Sequence, residues 1–336
     1  MNTRRRELIA AAVAIGLWIG VGLDTLRVLP RIALGDFETY RAGALHVLTG
    51  EPLYAPFQLA GPYGLGDAAF GHGYVYPPSA AVLSTPLALL PLVPSWLLFS
   101  LLSAGFLGAV VYQISRREGA SATMSAAATA VVLASGPAVW SIGTGNVNTL
   151  VAAGLGMVWL APRTAGYLAA LGALIKIYPA MAIAWTLRGR GRKAGLVGFV
   201  GPAVVGAIGL ALSAIVFGPG AWRDFATVMG NGKSASVFIP APRSVLMPIV
   251  GDLGAAIITI GLAAALLAAV IRIRDDRRAF ALLSLALILP APDWFAHYAL
   301  IPMVGASPLV MHAVVARAPR RAIVQSQGHT AAATVR

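Results

Sequence analysis

The sequence predicts an all-α polytopic membrane protein: a bundle of about ten transmembrane segments, with interfacial helices in a long first loop. Three observations carry this expectation. First, 58% of the 336 residues are hydrophobic, 11% are charged, and the mean hydropathy is +0.79. A soluble domain has about 25% charged residues, and no single water-facing core hides this much apolar surface. Second, the apolar residues fall in runs near the roughly 20 residues a spanning helix needs. Third, the basic residues cluster in alternate connections between those runs.

Ten helical segments are predicted, at 7–29, 93–115, 122–141, 146–162, 165–176, 178–188, 194–216, 248–271, 279–290 and 296–315. The fifth, sixth and ninth are short. They read as half-helices meeting breaks at Lys176–Pro179 and Pro290–Trp294, which a membrane tolerates only beside other protein. One set of connections holds 18 of the 25 basic residues, from Arg4–Arg6 through Arg116, Arg163, Arg188 and Arg272 to Arg317 and the tail. Beside them stand only Glu7, Glu118, Asp275 and Asp276. Lys and Arg concentrate on the cytoplasmic face, so both termini are expected inside, with an even number of crossings. The net charge of +13 is then an orientation signal with a bias toward anionic headgroups, not a nucleic-acid footprint. Zero cysteines exclude a disulfide scaffold, and the apolar content excludes disorder. Arg4–Arg6 followed by a long apolar run from Leu8 predicts an uncleaved first helix in the plasma membrane. Residues 1–319 form one domain, and 320–336 a disordered cytoplasmic tail.

The outer connections are longer than spanning requires. The first covers 30–92 and the fourth about 217–247, and long ordered loops usually carry function. In the first, Phe37, Tyr40, Ala44, Leu45 and Leu48 recur at helical steps and Gly50 follows as a C-cap, which predicts a surface helix with Asp36 at its start. Tyr76-Pro77-Pro78 opens a second short apolar helix ended by Pro91. Asn146 and Asn148 lie in another outer turn, Lys176 and Tyr178 at the break, Arg243 in the fourth loop, and Asp293, Trp294 and His297 in the fifth.

Several motifs occur in order: Asp-Phe-x-x-Tyr-Arg at 36–41, Gly-x-x-Leu-Tyr at 50–54, Tyr-Pro-Pro at 76–78, Gly-Asn-Val-Asn at 145–148, Lys-x-x-Pro at 176–179, and a Trp/His element at 294–297. Together they resemble the polyprenyl-phosphate-mannose-dependent mannosyltransferases of glycosyltransferase family 87, in the GT-C superfamily. The last outer loop departs from the pattern, reading Asp-Trp-Phe-Ala-His where adjacent histidines are expected. The resemblance implies a GT-C-like bundle that moves mannose from a polyprenyl-phosphate donor to a lipid or glycolipid acceptor on the extracytoplasmic face, by inversion.

Such a transfer needs a carboxylate to take the acceptor's proton and fixed positive charge for the leaving phosphate. Asp36 matches the family's catalytic aspartate; read without that match, it is equally an N-cap for the helix it opens. Lys176, alone in an apolar stretch, is the candidate donor-phosphate ligand, or else snorkels to the interface. His297 and Arg243 are further phosphate candidates, and Asp293 would orient His297. Glu38, Tyr40, Arg41, Tyr76, Asn146, Asn148, Tyr178 and Trp294 are the candidate substrate contacts. The aromatics among them equally suit an interfacial belt, and the asparagines an Asx turn.

No nucleotide-binding loop and no metal-ligand spacing occurs, so neither a cofactor nor a metal is expected. The expected partners are the sugar donor, the acceptor and membrane lipid. The competing reading is a lipid or sugar transporter, since broken helices also mark transporters, but matching inverted halves are not visible.

Overall fold

The computed structural model describes residues 33–64, 73–188, 192–233, 241–291 and 294–317, together with Arg27. The predicted first helix, the tail beyond 319 and Asp293 lie outside the described residues.

The described chain is almost entirely helical. Helix α1 is Gly35–Thr49, α2 Pro78–Ala88, α3 Leu92–Arg117, α4 Ala122–Leu133, α5 Gly136–Thr144, α6 Asn148–Leu160 and α7 Ala165–Ile175. A 3-10 stretch, Tyr178–Leu187, is followed by α8 Arg192–Phe217, α9 Gly220–Asn231, α10 Pro242–Arg272, α11 Asp276–Ile288 and α12 Leu300–Arg317. Two residues of extended chain, Tyr63–Gly64, pair in parallel with Gly232–Lys233 and join the two long loops.

Among the described residues, four helices are long and apolar enough to cross a membrane: Leu92–Arg117, Phe199–Phe217, Pro242–Arg272 and Ala296–Arg317. A fifth crossing arises if the bent pair α4–α5 is counted as one. The other predicted segments between 93 and 315 fall on helices too short to cross alone. The apolar outer faces of α8 and α10 are bare, with Ile215 79% and Leu253 76% exposed, which suits contact with lipid rather than water.

Three elements differ from the sequence expectation. The run 122–141 is split by a 62° bend, because Ser135 caps a new helix, its Oγ accepting from the Ala138 amide at 3.2 Å. The run 178–188 winds as a 3-10 helix, started by Pro179, which brings no N–H and restricts Tyr178 before it. Helix α10 starts before 248 and breaks at Gly251, whose φ of 74° suits glycine.

Helix α3 joins the two ends of the bundle. Near its start, Trp96 Nε1 donates to the Gly143 carbonyl at 3.1 Å and Ser100 Oγ to that of Ile142 at 2.9 Å. Near its finish, Arg117 donates to the carbonyls of Trp159 at 2.6 Å and Leu160 at 2.9 Å. A rise of 1.5 Å per residue puts these anchors roughly 30 Å apart, close to a bilayer's hydrocarbon thickness. Arg188, Arg277 and Glu118 gather at the Arg117 end, with Arg277 Nε donating to Glu118 at 2.7 Å. The aromatic cluster of Tyr40, Tyr54, Tyr74 and Tyr76 gathers in a separate core formed by the two long loops.

Helix α1 does not lie as a surface ribbon. Phe37, Tyr40 and Ala44 are fully buried, and the helix packs mainly against α2. Of the residues read as a membrane-facing stripe, Phe37, Tyr40 and Ala44 form a buried inner face, Leu45 is partly buried, and Leu48 remains 52% exposed.

Candidate active site

The site forms where five chain segments meet. The first is the start of α1. Its N-cap is Leu34, held in the left-handed region at φ 72°, with no side-chain cap. Asp36 is therefore in the first turn rather than at the cap position, and its half-buried carboxylate is not spent on capping. The unusual Leu34 backbone is held by its own N–H donating to Gly143 at 3.3 Å. Strain of this kind needs support from the surrounding structure.

The second segment is the α5–α6 turn. Gly145 has φ 69°, and a Cβ there would sit 2.6 Å from Phe37 Cβ. Only glycine lets the turn approach α1 this closely. The Asn146 side chain accepts from the Asn148 amide at 2.8 Å, an Asx turn that starts α6. Ser141 and Thr149, joined by a 2.7 Å hydrogen bond, close the turn from behind.

The third segment is the break after α7. Lys176 is extended, 8% exposed, and placed beneath the aromatic cluster. Its Nζ donates to Asn148 Oδ1 at 3.0 Å, and Tyr178 donates to the same oxygen at 2.6 Å. Two donors on one atom fix the amide orientation, and Asn148 Nδ2 is left buried with no partner. The ammonium also lies 5.5 Å from the Tyr76 ring centre and 5.3 Å from that of Tyr298. Among the described residues it forms no ion pair with a carboxylate. A buried cation held by rings and one amide oxygen is stabilised only partly, because ring faces supply about 1–2 kcal/mol each.

The fourth segment, just before α2, supplies Tyr76, and the fifth, from the far end of the chain, supplies His297. The Tyr76 hydroxyl stands 3.5 Å from Asp36 Oδ1, a long contact, and its ring meets Tyr40 at 4.4 Å. Burial first, and then the Asp36 charge, pushes the Tyr76 phenol well above its usual range, so it stays protonated and donates toward the carboxylate. The start of α2 is pinned to the last turn of α7 because Ser79 Oγ donates to the Leu174 carbonyl at 2.6 Å. His297 is 4% exposed, stacks with Phe295 and Tyr298, and has an unpartnered Nδ1. It lies within the electrostatic reach of both Asp36 and Lys176. Four buried or half-buried polar groups thus face one another without mutual saturation, which in a folded core points to a ligand.

The structure brings together Asp36, Tyr40, Tyr76, Asn148, Lys176, Tyr178 and His297. It sets other candidates apart. Arg243 makes a two-pronged pair with Asp252, at 2.8 and 2.9 Å, across the Gly251 break, so its guanidinium is already engaged. Glu38 is exposed on another face of α1. Arg41 donates to the Leu90 carbonyl at 3.3 Å and ties α1 to the end of α2. Trp294 donates to the Ile288 carbonyl at 2.9 Å and packs in the main core. Asn146 builds the turn that presents Asn148. The sequence reading did not find the roles of Leu34 or the Ser141–Thr149 pair, nor the ring cage around Lys176; none of these is visible as spacing. Gly145 was flagged only as part of a motif.

The family model for glycosyltransferase family 87 matches residues 74–292, well over half of the chain. The chain belongs to glycosyltransferase family 87. It is accordingly a glycosyltransferase with membrane-crossing helices. The matched stretch contains Tyr76, Asn148, Lys176 and Tyr178; Asp36 and His297 flank it on either side. No curated protein and no solved structure matches the chain.

Proposed function

We propose that this family 87 enzyme transfers mannose from a polyprenyl-phosphate donor to a lipid or glycolipid acceptor. The reaction runs at the extracytoplasmic face of the plasma membrane with inversion at the anomeric carbon. The observation that carries the reading is Lys176: a buried ammonium with no carboxylate partner among the described residues, within the electrostatic reach of the half-buried Asp36.

An acceptor hydroxyl attacks C1 of the sugar, and the C1–O bond to phosphate breaks. The proton goes to Asp36, and the electron pair leaves with polyprenyl phosphate. A positioned base is worth about 10²–10⁴-fold. Lys176, with the donors of Asn148 Nδ2 and His297 beside it, takes the charge that grows on the phosphate, the kind of fixed stabilisation that often dominates catalysis. Tyr76 holds Asp36 in place and remains protonated throughout. The ring faces of Tyr76, Tyr178 and Tyr298 suit a pyranose, and the lipid-facing surfaces of α8 and α10 suit an isoprenoid chain.

The orientation follows from the charges. Arg116, Arg117, Arg188, Arg272 and Arg277 lie at the end opposite Asp36. The positive-inside tendency therefore assigns the Asp36 end to the outer face. An even number of crossings, with both termini inside, is the topology that goes with this orientation. The choice of mannose rests on the ordered motifs from Asp36 to His297.

The test is a reconstituted assay: purified protein, polyprenyl-phosphate mannose and extracted membrane lipids, with product and released polyprenyl phosphate both measured. Transfer in equal amounts of the two, with an inverted linkage, supports the reading. Transfer only from another polyprenyl-linked sugar overturns the choice of mannose. Lipid movement across vesicles without a covalent product favours a transporter.

A further inference from the structure

The far end of the bundle carries a cavity that the transfer reaction does not use. Its volume is about 400 Å³, within the range of small-ligand sites. Arg188, Arg272, Arg274, Asp276, Trp185 and Ile271 are among its lining residues. The cations are not equivalent. Arg188 is spent: it donates to the Val270 carbonyl and to Asp276, and its guanidinium stacks on Trp185 at 5.0 Å. That same contact neutralises Asp276. Arg272 and Arg274 are exposed, have no carboxylate partner among the described residues, and leave the cavity with two uncompensated positive charges.

The surroundings favour a lipid over a free anion. Ile257, Ile260 and Ile271 are 62%, 58% and 42% exposed on α10. Their spacing of three residues, then eleven, keeps them on one helical stripe that ends at the cavity mouth. An apolar strip leading into a doubly positive pocket matches an acyl chain joined to a phosphate.

We propose that this cavity binds the phosphate of an anionic phospholipid, held by Arg272 and Arg274, with an acyl chain along the Ile257–Ile271 strip. Arg188 and Trp185 form the fixed wall against which the headgroup sits. The site is independent of the transfer chemistry: it would stand if the donor or acceptor were reassigned.

The test uses full-length protein in detergent, titrated with dilauroyl phosphatidylglycerol, dilauroyl phosphatidylcholine or inorganic phosphate, and reads bound lipid by native mass spectrometry and stabilisation by thermal shift. The glycerol lipid is expected to bind at least tenfold tighter than the choline lipid. Its affinity should fall at least tenfold in the Arg272→Gln/Arg274→Gln variant. It should change less than twofold in Arg163→Gln/Arg317→Gln, whose arginines do not line the cavity. Equal binding of the two lipids, or equal losses in both variants, would overturn the site in favour of diffuse charge attraction. Competition by inorganic phosphate at matched concentration would overturn the lipid assignment. The comparison of lipid classes needs only unmodified protein, so a variant that fails to fold does not spoil the test.

Discussion

The side-chain oxygen of Asn148 accepts hydrogen bonds from both Lys176 and Tyr178, at 3.0 and 2.6 Å. It is the hydrogen-bond acceptor for a buried cation in the site. Asn148→Ala leaves two buried donors unsatisfied and should cost about 1–3 kcal/mol, read as a lower thermal midpoint. Asn148→Asp should be more stable than Asn148→Ala yet slow in transfer, because the new carboxylate would compete with the proposed donor phosphate for Lys176.

Lys176 separates a functional cation from a structural one. If its charge waits for an anion, Lys176→Met should leave thermal stability unchanged or raise it, since an apolar side chain removes a costly buried charge. Donor affinity should fall at least tenfold in the same protein. Loss of stability without loss of donor binding would sink this role.

Asp36→Asn keeps the side chain's size, exchanges one acceptor oxygen for an NH2 group and removes the proposed base. We expect transfer to fall by about 10²–10⁴-fold while donor binding and unfolding temperature stay near wild type. Glu38→Gln, on an exposed face, should leave transfer within a few-fold.

Gly145→Ala tests the seat of α1. The added methyl meets Phe37 Cβ, and the φ of 69° is unfavourable for alanine. A cost of about 1–3 kcal/mol is expected for the strained backbone. Transfer should fall further than stability alone explains, since Asp36 is one residue from Phe37.

At the opposite end, Glu118 is buried and Arg277 is 36% exposed. Arg277→Gln leaves the buried Glu118 carboxylate with only the more distant His312, at 3.9 Å, whereas Glu118→Gln leaves an arginine that reaches water. Thermal unfolding should show the larger loss, roughly 3 kcal/mol, for Arg277→Gln. Donor affinity in the surviving folded protein should be unchanged in both.

The helices were legible because lipid-facing and core-facing positions alike demand apolar residues, and the runs recorded them. The breaks were half legible: Pro179 announced the end of α7, whereas the second helix start inside the run 122–141, Ser135 as cap with Pro137 in the first turn, is masked by the continuous apolar sequence around it. Helix α1 shows the limit of periodicity. Phe37, Tyr40 and Ala44 were correctly placed on one face, but a stripe does not say whether lipid or protein covers it; Tyr74 and Tyr76, distant in sequence, decide that. Arg243 and Lys176 were both phosphate candidates, Lys176 the stronger for standing alone in an apolar stretch. Only the fold shows that one is paired with Asp252 and the other sits among rings.

Both anchors of α3 have a mechanical corollary. Trp96 and Ser100 fasten one extremity to carbonyls, and Arg117 fastens the other. Sliding this rod along its axis by a single residue would rupture both fastenings together. Adaptation to a thicker or thinner bilayer therefore falls to tilting of the whole bundle or to the lipids themselves, and the depth of the reaction centre is set by a ruler that does not stretch.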